Sequence, residues 1–275
     1  MLSAAARSAE VDVRPMSRPS TYLGYAYLAG VLGFIYLPIL VMMAMGFNQS
    51  PNYELPFRYS LIWFENLSNN EILWRAGRNS VVLALTNTVI ATVIGTMAAL
   101  ALTRHRMRGH VLLQLLLFPP MAVPWLILAT AMLIFFYYSG IGRGLHAMLL
   151  AHVALSLPYV IIVVGARLQS FGTDLEEAAA TLGATQLQTF FRVTLPVIAP
   201  GVAAAALFAF GISFDQFVTS YFLSPPGVTT LPVEIYASIR KGFTPEINAI
   251  STIIIIVSMV LLLVVSRFYR FGGTQ

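Results

Sequence analysis

The chain has 275 residues, 58% of them hydrophobic and 10% charged, with a mean hydropathy of +0.79 and a formal net charge of +5. That balance excludes a soluble globule of this length and defines a polytopic membrane protein. Its positive charge does not imply nucleic acid, because Lys and Arg are scattered between apolar runs instead of forming one basic face, and the absence of cysteine excludes disulfides, thiolate nucleophiles and Cys-ligated metals.

A bilayer core about 30 Å thick needs about 20 mostly apolar residues rising about 1.5 Å each. Six stretches qualify, at 23–46, 79–102, 111–137, 145–166, 197–222 and 248–267. They predict an all-α membrane fold: a tail at 1–22, a membrane domain at 23–267, a polar loop at 168–196 between the fourth and fifth helices, and a tail at 268–275. The first stretch follows Arg7, Arg14 and Arg18, as a secretory leader does. Its apolar run is too long for such a leader and has no clear small-x-small cleavage site, so it reads as a retained helix.

Cations near helix ends set the orientation, since the cytoplasmic side is enriched in them. With the N terminus inside, ten lie on that side (Arg7, Arg14, Arg18, Arg104, Arg106, Arg108, Arg167, Arg192, Arg267, Arg270) and six outside (Arg58, Arg75, Arg78, Arg143, Arg240, Lys241). The short loop Arg104-His105-Arg106-Met107-Arg108 strengthens the bias, and both termini are expected to be cytoplasmic. Trp63, Trp74, Tyr137 and Tyr138 fall near helix ends as interfacial anchors.

In the second span, Gly95 and Ala99 form a small-xxx-small face, as do Gly201 and Ala205 in the fifth. Pro119, Pro120 and Pro124 should break or kink the third, because each proline removes a backbone donor and clashes with the preceding turn. Two readings are open: a bend that fits neighbouring helices, or a break that lines a pathway. Pro38 and Pro158 predict milder kinks. His105, His110, His146 and His152 do not converge as metal ligands, and His152 reads as a hydrogen-bonded packing residue of the fourth span. Trp125 and Tyr159 lie deeper, as pathway or core residues.

The loop after the fourth span carries its own helix signals. Thr173-Asp174-Leu175-Glu176 fits a capping box, and Asp174, Glu176 and Glu177 place negative charge in the first turn, where the helix dipole favours it. Gly183 can end this short helix in a left-handed conformation. Thr185-Gln186-Leu187-Gln188 fits a second capping box and starts a second short helix, and Leu195-Pro196 is expected to end the segment where the fifth span begins. Ala178, Ala179 and Ala180 give a smooth surface that suits insertion into a partner's groove, or else the pair lies on the membrane surface.

Asp215 is the one acidic residue expected deep inside a span. A carboxylate at a helix centre costs on the order of 2.5–3.5 kcal/mol, so it should face the bundle interior or a water-filled cavity. Phe214, Phe217 and Tyr221 would add aromatic faces able to hold an ammonium, and Ser213, Gln216 and Thr219 neutral polar contacts. The other reading is that Asp215 only caps or bridges helices.

No P-loop sequence occurs, so an energy source would have to be another subunit, and no hydrolytic triad, His-Glu-x-x-His or paired-carboxylate arrangement points to an enzyme. Segments 47–76 and 224–247 are long enough to form an external surface, with Pro225-Pro226-Gly227 and Thr244-Pro245 as turns.

The spacing Glu177-Ala178-Ala179, three residues, Gly183, nine residues, Val193, one residue, Leu195-Pro196 resembles the EAA loop of binding-protein-dependent ABC importer permeases, with Val193 in place of the usual Ile. The resemblance runs from about residue 24 to 267, with the core importer region at 77–267. Three further segments resemble the spermidine/putrescine branch: Ala151-His152 through Leu157-Pro158-Tyr159, Ser213 through Val218, and Leu231-Pro232-Val233 through Pro245 to Ala249. That branch commonly has two consecutive aspartates where this chain has Asp215-Gln216.

The resemblance implies a permease subunit in a bacterial inner membrane, paired with a second permease, served by an external solute-binding protein and driven by two cytoplasmic ATPase subunits that hold the ATP and magnesium. This chain would bind no cofactor. Asp174, Glu176, Glu177, Ala178, Ala179, Leu182, Gly183 and Thr185 would form the ATPase-coupling surface, and segment 224–247 would fold back toward the pathway. A polyamine or related amine is the cargo that Asp215 favours; an opine, amino-acid derivative or phosphonate is the alternative. The competing class is a secondary transporter or channel in which Asp215 binds or relays an ion. It predicts uptake that survives loss of the ATPase, and it leaves the capped helix pair without a purpose.

Overall fold

Three apolar helices form the core: α3 (Glu71–Arg104), α7 (Leu145–Phe171) and α10 (Leu195–Phe214), which pack most extensively on one another. The computed structural model to which they belong describes residues 18–51, 54–104, 109–117, 119–242 and 245–271. Small residues let the core helices approach. Gly95 of α3 faces α7 so closely that a Cβ there would lie 2.5 Å from Val160 Cγ1. Ala99 and Ala205 are buried in the same cluster with Val164, Leu168 and Ile198. Gly201 is used differently, since a Cβ would meet the stem of Arg167 at 2.9 Å, and the Arg167 guanidinium donates to the Val197 carbonyl at 3.3 Å.

Several polar groups inside these helices are matched locally, although Thr92 and Thr96 of α3 keep buried hydroxyls without a hydrogen-bond partner. Thr86, Thr88 and Thr103 donate to the carbonyl four residues earlier at 2.8, 2.7 and 2.6 Å, as backbone-returning hydroxyls do in apolar surroundings. Asn87 joins all three core helices, donating to Ser156 Oγ of α7 at 3.1 Å and to the Ala209 carbonyl of α10 at 2.9 Å. Asn87→Ala is expected to destabilise the detergent-solubilised protein by about 1 kcal/mol, within the range of interhelical hydrogen bonds. An unchanged melting midpoint would show that Asn87 is not glue.

Among the described residues, four helices are long and apolar enough to cross a membrane: Tyr22–Met45, Glu71–Arg104, Leu145–Phe171 and Gln186–Phe214. The other two expected stretches take different forms. Stretch 111–137 becomes α4 (His110–Leu117), α5 (Pro119–Ala122) and α6 (Trp125–Tyr138), with the chain turning sharply at Val123-Pro124. That is the expected proline break: Pro124 lies extended at ψ 134°, outside both helices. The last stretch lies in α13 (Glu246–Phe271). α1 (Arg18–Met45) meets α13 at its end, where Gly46 sits against the Asn248 backbone, and most of its length is exposed.

Three expectations are corrected. Stretch 197–222 is not one helix, because α10 stops at Phe214 and α11 (Val218–Leu223) begins after a non-helical Asp215-Gln216 step. The second short helix is not separate from the span it precedes: Leu195-Pro196 does begin α10, but α9 (Gln186–Thr189) runs into it through a π-turn at Phe190–Thr194. Pro196 sits in the first turn of α10, and the widened π-turn before it takes up the crowding that a proline imposes on the turn it follows. The third concerns Thr173, which makes no side-chain cap bond. Glu176 is drawn elsewhere, as described below.

Segments 54–76 and 224–242 are held by tertiary contacts. α2 (Ile62–Asn69) and α12 (Leu231–Lys241) join α13 around Leu67, Leu73, Leu231, Ala249 and Ile250. Trp63 packs against this cluster and donates to the Asn48 carbonyl at 2.7 Å, while Trp74, Tyr137 and Tyr138 are exposed. Pro225-Pro226-Gly227 does form a turn, with Gly227 at φ +80°. Asn79 donates to the Thr229 carbonyl at 2.9 Å and Ser80 Oγ accepts from the Leu231 N–H at 2.8 Å, which ties this segment back onto α3. Residues 1–17, 105–108, Thr244 and 272–275, including Arg7, Arg14, His105, Arg106 and Arg108, lie outside the described residues.

Candidate functional site

Two places carry chemistry, one at each end of α10. The first is the loop between α7 and α10. Gly172, at φ +70°, turns the chain out of α7, and α8 (Asp174–Thr181) begins with Asp174, Glu176 and Glu177 in its first turn, as expected. Gly183, at φ +85°, ends α8: its N–H donates to Ala180 O at 2.9 Å and the Ala184 N–H to Ala179 O at 3.0 Å, the double bond of a Schellman motif. Thr185 then starts α9 with the expected capping box, accepting from Gln188 N–H at 3.4 Å while the Gln188 carboxamide accepts from Thr185 N–H at 2.9 Å.

Most of the predicted coupling residues are outward. Asp174, Glu177, Ala178, Gly183 and Thr185 are exposed, Ala179 is half-buried, and Leu182 is 89% exposed. Leu175 and Leu187 are exposed as well, so both short helices present apolar side chains, with acidic residues confined to the first turn of α8. Glu177 stays local and accepts from Thr173 Oγ1 at 2.8 Å. Glu176 alone turns inward. Its Oε2 pairs with Arg104 Nε at 2.8 Å and its Oε1 accepts from Thr194 Oγ1 at 2.7 Å, at the edge of a cleft of about 440 Å³. An ionic partner outcompetes the cap, because the attraction between two opposite charges in this poorly solvated cleft outweighs one bond to an exposed backbone N–H.

The second place is the step after α10. Asp215 caps that helix, is exposed rather than deep in a continuous span, and makes no side-chain hydrogen bond or ion pair among the described residues. Gln216 is buried, with its Nε2 unpartnered. Ser213 and Ser220 flank the step, and buried His152 of α7 holds both: Nδ1 lies 2.8 Å from Ser213 Oγ and Nε2 3.1 Å from Ser220 Oγ. In the neutral imidazole one nitrogen donates and the other accepts, so a single ring staples α10 to α11 where the backbone bonds lapse. This agrees with the packing role expected of His152.

The expected aromatic group divides. Phe217 and Tyr221 meet at 5.6 Å between ring centroids, and Tyr236 of α12 joins them at 4.8 and 5.9 Å. Phe214 instead stacks on Phe210 at 5.7 Å and packs toward the α2 and α13 cluster. Trp125, at the start of α6, and Tyr159, half-buried on α7, make no ring contact with this group. Thr219 is buried. Sequence reasoning missed Tyr236 because it lies on a different element, although the segment bearing it was expected to fold back.

Among the described residues, bilayer-length apolar helices define a multi-pass membrane protein. Residues 91–271 match the family described as the binding-protein-dependent transport system inner membrane component, and the chain belongs to that family. It is 36% identical over 241 residues to the spermidine/putrescine transport system permease protein PotC of Haemophilus influenzae, covering 87% of this chain and 93% of that one. It is also 35% identical over 229 residues to the putrescine transport system permease protein PotI of Escherichia coli, covering 81% and 82%. The fold is that of solved ABC importers. A bacterial ABC transporter involved in import of the acidic polysaccharide alginate superposes with a TM-score of 0.68 at 17% identity, over 95% of this chain and 100% of that one. The inward-facing MetNI methionine ABC transporter does so at 0.62 and 20%, over 74% and 97%.

Proposed function

We propose that this permease imports a polyamine or related amine across a bacterial inner membrane, with six membrane-crossing segments and both termini in the cytoplasm. A second permease completes the pathway, an external binding protein delivers the solute, and two ATPase subunits holding ATP and magnesium dock on the α8 to α9 surface. Nucleotide binding closes the ATPases, the loop moves with them, and the permease pair opens outward to receive cargo.

The observation that carries the cargo reading is the exposed Asp215, whose carboxylate has no partner among the described residues, two positions before Phe217, whose ring meets those of Tyr221 and Tyr236. A carboxylate and aromatic faces are what an alkylammonium needs once it leaves water. The polyamine names of the similar permeases support the same class. Gln216 stands where that branch commonly has a second aspartate, and the position is buried, so the change leaves the exposed charge in place.

Uptake of labelled putrescine and spermidine by proteoliposomes holding the complete transporter tests this. Native complex should import at least one of them with ATP, and Asp215→Asn should lower that import by about tenfold, the size of one well-placed ionic contact. Import that is unchanged in the variant removes Asp215 from the pathway. An assembled native complex that hydrolyses ATP yet moves neither amine turns the cargo toward an opine, amino-acid derivative or phosphonate.

A further inference from the structure

We propose that Arg104 fastens the ATPase-facing loop to the membrane core, so that α8 and the base of α10 move with α3 as one body. This rests on the reading of the chain as an ATP-driven permease. Arg104 is the last described residue of α3 and lies in what the sequence presents only as a basic loop. Its guanidinium makes three contacts on three different segments. Nε pairs with Glu176 Oε2 of α8 at 2.8 Å, with both side chains more than four-fifths buried at 15% and 18% exposure. Nη2 donates to the carbonyl of Gly172, the left-handed hinge between α7 and α8. The flat face lies 5.8 Å from the centre of the Phe171 ring at the end of α7.

Glu176 extends the connection. Its second oxygen accepts from Thr194, which is 3% exposed in the π-turn that leads into α10. One ion pair therefore ties together α3, α7, α8 and the entrance to α10. Arginine suits the place better than lysine, since its planar, many-donor head can pair with the Glu176 carboxylate, donate to the Gly172 carbonyl and stand over the Phe171 ring together, even though the Nε contact is an ion pair without hydrogen-bond geometry. The contrast with Glu71 and Arg75 is informative: that pair is 3.6 Å apart with side chains 67% and 89% exposed, a surface contact of little consequence. A loop that only needed its ends capped would not need a link to α3, because Gly172, Gly183 and Thr185 already provide the turns. What the Arg104 pair adds is a path for force from the docking surface into the core.

The test uses the assembled transporter in liposomes, with two readouts. The first is ATP hydrolysed per labelled polyamine imported. The second is the distance between spin labels at Met97→Cys on α3 and Thr181→Cys on α8, which is practical because the chain has no cysteine, both side chains are exposed and Thr181 lies outside the predicted coupling residues. The native pair should give one narrow distance, with and without ATP. Arg104→Ala should broaden it and raise the ATP cost per solute at least about tenfold. Arg104→Lys should fall between, and the reversed pair, Arg104→Glu with Glu176→Arg, should recover most of the coupling. If Arg104→Ala does not assemble, Thr194→Val removes only the hydroxyl and should raise the ATP cost about threefold. A native ATP cost and a narrow distance in Arg104→Ala, or in Thr194→Val when that variant carries the test, would overturn the proposal. Should the native complex import neither polyamine, the transport reading fails for that cargo, while the label distances still decide whether Arg104 holds the loop.

Discussion

Gly183→Val is expected to abolish ATP-dependent uptake while leaving the helical core folded. Gly183 sits at φ +85° with nothing within 4 Å of where a Cβ would stand, so the penalty is conformational and owes nothing to crowding. A residue with a Cβ loses roughly 1–2 kcal/mol in the left-handed region, and a β-branched one more. That is enough to lower the population of the turn tenfold or beyond. Both Schellman bonds at Ala179 and Ala180 depend on this turn, and so does the angle between α8 and α9. Gly183→Asn is the control, because asparagine tolerates the left-handed region. It should retain most uptake, while the valine variant should lose binding-protein-stimulated ATP hydrolysis together with transport. Equal activity in both variants would mean that the turn does not set the docking geometry.

Gly95→Leu should have an effect of similar size by a different route. Here the obstruction is steric: the first added carbon alone would lie 2.5 Å from Val160 Cγ1 and 2.8 Å from Val160 Cβ. α3 and α7 would have to separate, dragging apart the cluster that holds Ala91, Ala99, Val164 and Leu168. Overpacking of a tight core typically costs 1–3 kcal/mol, and a leucine at a helix crossing belongs at the upper end. The expected result is loss of the monodisperse peak when the solubilised complex is passed over a sizing column. Gly95→Ala should assemble with a lowered melting point, and adding Val160→Ala to it should restore part of the loss. A Gly95→Leu complex that elutes and melts like the native one would show that the α3 to α7 crossing does not depend on a small residue at Gly95.

The apolar runs, the proline break at Pro124, the Gly95 and Ala99 face, the left-handed Gly183 and the Thr185 capping box were all legible in the sequence, because each depends on residues a few positions apart. What escaped depends on distant partners. Thr173 and Glu176 satisfy the capping-box spacing, yet Glu176 is taken by Arg104 and Thr194, which no local pattern reveals. The end of α10 at Phe214 has neither glycine nor proline to mark it; it is held by His152, whose two serine partners come from either side of the step. Asp215 therefore reads from sequence as a charge in mid-helix and is in fact a helix cap. Pro196 misled in the opposite direction, since a π-turn let the helix pass through it.

The uninterrupted run from Gln186 to Phe214 is 29 residues long. At about 1.5 Å per residue it is a lever of roughly 43 Å, with Gln186 in the docking loop at one end and Asp215 just beyond the other. A tilt of about 5° at the loop carries the far end sideways by roughly 4 Å over that length. On the roles proposed for its two ends, mechanical advantage would favour the cargo: a small rotation at the loop becomes, at Asp215, a displacement comparable to the width of an ammonium group.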